Sequence, residues 1–153
     1  MPSEPKSARE AAAALLSNRA YSSGNMYEKL IGKGYSENES ADAVKRLTEL
    51  GYLDDSAYAL GVIRSQRAKG YGPNRILLYL QERGIPREIA EDALNIDNEV
   101  SSNSTIKAID AYLRKHAKND TDAPGPAERQ KLAAALARRG FDYSDIRAGL
   151  ERL

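Results

Sequence analysis

Three times the chain closes an apolar stretch in the same way, with Leu, two further residues, a basic residue, Gly, and then an aromatic or Ile. Leu30, Lys33, Gly34 and Tyr35 form the first instance, Leu80, Arg83, Gly84 and Ile85 the second, and Leu136, Arg139, Gly140 and Phe141 the third. An apolar residue stands ten positions after each glycine, at Val44, Leu94 and Leu150. Glycine enters positive φ without a Cβ penalty, so it ends a helix and lets the next apolar residue fold back onto the core. Repetition at offsets of 50 (34 to 84) and 56 (84 to 140) predicts three units, each helix, helix, Gly turn, helix.

The middle unit shows the grammar most fully. Asp54 or Asp55 is placed to cap a helix starting near Ser56, because a short carboxylate accepts from the first unpaired N–H groups. Tyr58, Ala59, Val62 and Ile63 then share a face. Gly70-Tyr71-Gly72-Pro73 breaks that helix. Pro73 suits the first position of the next, where its missing N–H costs nothing, and Ile76, Leu77 and Leu80 form its stripe. Leu78 lies off the stripe, which points to an inter-module contact or a partner surface.

The same reading covers the flanks. A disordered lead-in is expected over 1–6, repeat 1 over 7–51, repeat 2 over 52–96, a polar linker over 97–104, and repeat 3 over 105–153. A long loop, 118–126, carries Gly and Pro and accounts for the larger second offset. Leu15 and Leu16 are the expected anchors of the first helix, and Ala41, Val44, Leu47 and Leu50 those of the third. Ile106, Ile109, Tyr112 and Leu113, then Leu132, Ala133 and Leu136, then Ile146 and Leu150 supply the last unit. With 41% hydrophobic residues, few β-branched alternating runs and no Trp, the fold class is all-α. Three tandem three-helix repeats, each about 20 Å wide, predict an elongated modular rod or crescent on the order of 60 Å long.

Chemistry is scarce. The 153 residues include no Cys, so thiolate metal sites and disulfides are excluded, and His116 is the one histidine. Neither Gly70-x-Gly72 nor Gly32-Lys33-Gly34 meets the context of a phosphate-binding glycine motif, and both read as helix-ending turns. Adjacent Asp54 and Asp55 read as caps rather than metal ligands. No apolar run is long enough to span a bilayer, and the N-terminus lacks a signal-peptide core; no membrane association and a cytoplasmic location are expected. No enzyme activity, cofactor or metal is expected.

The net charge of +1 conceals segregation. From Gly61 to Gly84, Arg64, Arg67, Lys69, Arg75 and Arg83 face only Glu82; from Gly84 to Val100, five acids face Arg87. Arg64 and Arg67 sit on one helix face with Arg75 across a tight turn, a group that can meet phosphates or an acidic protein surface. Arg114-Lys115 and Arg138-Arg139 continue the basic set in repeat 3. Arg83 and Arg139 also oppose the negative end of a helix dipole. Tyr21 and Tyr71, each thirteen residues before its glycine, either pack under a turn or stack on a base.

The segment GYLDDSAYA, followed by GYGPNRI and LQERGI, resembles the RecX family of bacterial recombination regulators. Gly51, Tyr52, Leu53, Asp54, Asp55, Tyr58 and Ala59 match one family block; Gly70, Gly72, Pro73, Ile76, Leu80, Gly84 and Ile85 match another. The likeness runs from about Ala8 to Leu153 and is loosest in the third unit. It implies a monomeric three-repeat modulator that lies in the groove of the RecA–DNA filament and restrains ATP hydrolysis, strand exchange and coprotease activity. On that reading Arg64, Arg67, Lys69, Arg75, Arg83, Arg114, Lys115, Arg138 and Arg139 face the RecA nucleoprotein filament and its DNA phosphates. A general DNA- or RNA-binding helical module and a protein-binding helical scaffold are the alternatives.

Overall fold

A computed structural model describes residues 6–101, 103–118 and 123–153. Over these residues it is all-helical, with α1 (Ala8–Leu16), α2 (Ser23–Gly32), α3 (Glu37–Glu49), α4 (Asp55–Ala68), α5 (Pro73–Glu82), α6 (Arg87–Val100), α7 (Ser104–His116), α8 (Pro126–Arg138) and α9 (Tyr143–Glu151). Gly34, Gly51, Gly70, Gly84 and Gly140 all have positive φ, so each predicted glycine turn forms where the sequence places it. Serine caps start the first three helices: the hydroxyls of Ser7, Ser22 and Ser36 accept from the N–H groups of Glu10, Asn25 and Glu39. Each such cap stabilises its helix by about 1 kcal/mol.

The chain falls into two compact units. The first comprises the residues up to Ala59 together with Leu80–Ala90. Its core holds Ala8, Ala11, Ala12, Tyr21, Met26, Leu30, Ala43, Leu47 and Leu53. Leu15 and Leu16, the expected anchors of α1, lie at its edge. The inward stripe of α1 is instead Ala8, Ala11 and Ala12, at helical spacing, whose small side chains let a neighbouring helix approach closely. In α3 the buried positions are Ser40, Ala43 and Leu47. Of the expected anchors, Leu47 is buried and Val44 packs against the core, whereas Ala41 is exposed and Leu50 is 50% exposed, their inward places being taken by Ser40 and Ala43. A buried serine disguised the stripe.

Asp54 and Asp55 divide two tasks. Asp54 Oδ1 accepts from the Ala57 N–H at 3.1 Å and caps α4. Asp55 reaches back to the start of α2, accepting from the Ser23 N–H at 2.7 Å and the Ser23 hydroxyl at 3.0 Å. Two carboxylates placed at helix starts need no metal to account for them.

The second unit comprises Leu60–Tyr79 and Glu91–Leu153. Ile109, Leu113, Leu132, Leu136, Phe141, Ile146 and Leu150 form its principal core. Ile63, Ile76, Ala93 and Leu94 are buried as well. Each helix of the middle triplet is thus shared, α4 passing from the first unit to the second after Ala59, α5 from the second to the first after Tyr79, and α6 back after Ala90. Leu78 is 56% exposed, as its position off the stripe implies.

One expectation is corrected. The stretch 97–104 is not a linker throughout: α6 continues to Val100 and α7 starts at Ser104. The helix persists because Asp97 is only 3% exposed, buried as the acceptor for Arg67. The expected lead-in falls mostly on 1–5, and the centre of the expected long loop on 119–122, all outside the described residues.

Candidate nucleic-acid interface

Most of the basic residues singled out from the sequence belong to the second unit, and their environments differ sharply. Arg67, at the end of α4, turns inward. Its Nη1 donates to Asp97 Oδ2 at 2.6 Å and to Ser104 Oγ at 2.9 Å, while Nη2 donates to Asn98 Oδ1 at 2.6 Å. Its side chain is 14% exposed and that of Asp97 is 4% exposed. Arg67 therefore ties α4 to the end of α6 and the start of α7. Arg64, one turn earlier, holds Asp97 Oδ1 more loosely at 3.7 Å and keeps a 64% exposed side chain.

The turn after α4 carries the other arrangement. The Arg75 guanidinium carbon lies 3.8 Å from the centroid of the Tyr71 ring. Arg139, at the end of α8, stands 5.7 Å from the same centroid and 5.1 Å from that of Tyr112. Its Nη1 also donates to the Lys69 carbonyl at 3.4 Å. Tyr112 in turn stacks on His116, with centroids 4.2 Å apart. Lys69, Tyr71, Arg75, Arg139, Tyr112 and His116 thus form one connected group of cations and rings. Among the described residues neither Arg75 nor Arg139 is paired with a carboxylate.

That pairing of charge with π face has consequences. A guanidinium over an aromatic ring gains roughly 0.5–1 kcal/mol at an exposed site, enough to fix its plane without neutralising it. The N–H fork stays available, and planar forks bind phosphate oxygens in pairs. Half-buried Tyr71 therefore works as a platform for arginines. Its counterpart Tyr21 is 8% exposed and belongs to the first unit's core, with Arg19 at 4.5 Å.

The remaining candidates are scattered. Arg114 is exposed, with Nε 3.4 Å from the Asp110 carbonyl, and Lys115 and Arg138 are exposed. Arg83 lies in the first unit, where its carbonyl accepts from the Ser22 hydroxyl. Tyr112 was not singled out for the site from the sequence. It stands 27 positions from Arg139, and no local pattern marks it as that residue's partner. Among the described residues no cluster of His, Cys, Asp or Glu is arranged to hold a metal ion, and no helix is long and apolar enough to cross a membrane.

Comparisons with known proteins converge. Models of the first, second and third three-helix domains of RecX match residues 8–47, 54–94 and 107–150. Regulatory protein RecX of Xanthomonas citri is 35% identical over 135 residues, covering 88% of this chain and 80% of the relative. Regulatory protein RecX of Chromohalobacter salexigens is 30% identical over 149 residues, covering 96% and 93%. The crystal structure of RecX from Lactobacillus salivarius superposes with a TM-score of 0.78 at 22% identity, covering 95% of this chain and 94% of that one, a likeness of fold. A second crystal structure, of a regulatory protein RecX, gives a TM-score of 0.72 at 25% identity over 90% of this chain and 67% of that one. The three-helix domain models and the sequence identity span nearly the whole length, and the relatives are regulators rather than enzymes. The chain belongs to the RecX family of regulatory proteins.

Proposed function

We propose that this protein binds the RecA–DNA nucleoprotein filament in the cytoplasm and restrains its ATP hydrolysis, strand exchange and coprotease activity, without a cofactor. The observation that supports this beyond family membership is the connected group around Tyr71, in which Arg75 and Arg139 lack a carboxylate partner among the described residues. Phosphates of the filament supply the missing anions. Lys69, Lys115, Arg114 and Arg138 add exposed charge in the same unit. Arg64 contributes through its exposed guanidinium, whereas Arg67 acts by holding the helices in place. Arg83 is the first unit's contribution. A ligand that favours one filament conformation over another shifts the filament by its differential affinity, so regulation follows from binding alone.

The test is a titration of the protein into RecA hydrolysing ATP on single-stranded DNA. Inhibition is expected, and replacing Arg75 and Arg139 together by Ala weakens it about tenfold, as the loss of roughly 1.4 kcal/mol of binding does. Unchanged hydrolysis at saturating protein rejects the reading. General nucleic-acid binding is a second reading that the arginine and tyrosine stacking favours. A salt series on bare and RecA-coated DNA separates the two. A filament-directed protein binds bare DNA weakly, whereas on single strands the double variant of a general binder loses about 1.4 from the salt slope, two phosphates at about 0.7 each.

A further inference from the structure

One piece of local geometry occurs twice. In the first unit the hydroxyl of Ser22, the residue preceding α2, donates to the carbonyl of Arg83, the residue preceding the turn glycine Gly84. In the second unit the N–H of Gly72, the residue preceding α5, donates to the carbonyl of Arg139 at 2.7 Å, and the Asn74 N–H donates to the Gly140 carbonyl at 2.9 Å. Each time the start of one triplet's second helix docks on the glycine turn of the following triplet.

Both joints are so tight that they depend on missing side chains. A Cβ on Gly84 would lie 3.0 Å from Gly24 Cα, and one on Gly72 would lie 2.6 Å from the Gly140 carbonyl carbon and oxygen. Real Cβ atoms essentially never come closer than 3.0 Å, so a side chain at Gly72 is excluded and one at Gly84, where φ is also positive, stands at the limit.

Three triplets carry three donor halves and three acceptor halves, yet among the described residues only two joints close. The unused acceptor is the Lys33-Gly34 turn of the first triplet. The unused donor is Gly125-Pro126 at the start of α8, whose Gly-Pro pair repeats Gly72-Pro73 at the start of α5. A Cβ on Gly34 or on Gly125 would meet nothing within 4 Å, and Lys33, Gly34, Gly125 and Pro126 are all exposed. The free turn has positive φ like both filled ones, +99° at Gly34 against +78° at Gly84 and +97° at Gly140. Gly125, with φ −70° and ψ 173°, likewise matches Ser22, with φ −75° and ψ 160°.

From this leftover pair we infer that the Gly125-Pro126 turn of one copy docks on the Lys33-Gly34 turn of a second copy, joining chains head to tail. The two surfaces differ, so every contact leaves one half free at each end and growth does not stop at a dimer. Ala127 stands where the second joint has Asn74, whose Nδ2 donates to Asp142 at 2.7 Å. The first joint has Gly24 at that place and is held by the Ser22 hydroxyl, whereas the second is held by the main-chain N–H groups of Gly72 and Asn74, the kind of donor that Gly125 and Ala127 also carry. A joint made of so few bonds leaves dilute protein monomeric and takes hold where copies are held side by side.

Sedimentation equilibrium of the protein alone, from micromolar to millimolar, tests this independently of any filament. The wild-type average mass is expected to rise continuously past twice that of one chain. Gly125→Val, at an ordinary φ in open space, stays at the mass of one chain, and so does Gly34→Asn, since Asn tolerates positive φ better than other side chains. An equimolar mixture of the two variants regains one good contact and stops at the dimer. If Gly34→Asn loses its helical signal, Gly125→Val alone decides. A flat wild-type mass across the range, association that survives Gly125→Val, or wild-type growth that closes at a dimer each overturns the inference.

Discussion

Asp97→Ala removes the acceptor that holds Arg67, and the cost can be worked from their surroundings. The carboxylate is 4% exposed and the guanidinium 14%, so breaking the pair strands a charge largely out of water. Such a break costs about 3–5 kcal/mol. Ser104 Oγ and Asn98 Oδ1 still accept from Arg67, which places the expectation near the lower end, about 3 kcal/mol. For a chain of this size the melting temperature falls by roughly 6–12 °C. Urea unfolding followed by helical ellipticity measures it, and a cycle identifies the cause. Arg67→Met combined with Asp97→Leu, which replaces both charges by apolar groups, is expected to recover to within about 1 kcal/mol of wild type. A loss below about 1 kcal/mol for Asp97→Ala, or a double variant as unstable as the sum of the singles, refutes the assignment of Arg67 as a tie between helices. The same pair decides whether Arg67 touches nucleic acid: a structural tie predicts equal losses of binding for Arg67→Ala and Asp97→Ala, and a phosphate contact predicts a larger loss for Arg67→Ala.

Gly72→Ala drives a Cβ to 2.6 Å from the Gly140 carbonyl group, and a stability loss of roughly 2 kcal/mol is expected in the same urea assay; wild-type stability contradicts the close approach. Ser40→Ala removes a buried hydroxyl without a hydrogen-bond partner among the described residues, and it raises the unfolding midpoint by the equivalent of about 1 kcal/mol; a lowered midpoint shows the hydroxyl to be satisfied.

The turns were readable because positive φ restricts the choice of residue, so Gly34, Gly84 and Gly140 announce themselves without reference to the rest of the fold. The same holds for Asp54 at the start of α4. Hydrophobic periodicity was less faithful. It favoured Leu15 and Leu16 over the alanines of α1, and it missed Ser40 in α3, because it scores apolar size whereas a close helix contact selects smallness. The basic set was visible as composition, but composition does not say which guanidinium is already bound. Arg67 and Asp97 lie 30 positions apart and look alike to any solvated Arg and Asp nearby. Arg75 on Tyr71 was close to legible, four residues apart across a turn. Arg139 beside both Tyr71 and Tyr112 was not, since it requires α7 and α8 to be folded together.

The peptide-to-peptide docking at Gly72 and Gly140 separates two properties that most interfaces confound. Neutral amides have no counterion atmosphere, so ionic strength that strips anions from the arginines leaves the spine between neighbouring triplets unaltered. Evolution can likewise retune the charged face residue by residue without loosening what carries it, because that support asks of its sequence little more than the absence of a side chain.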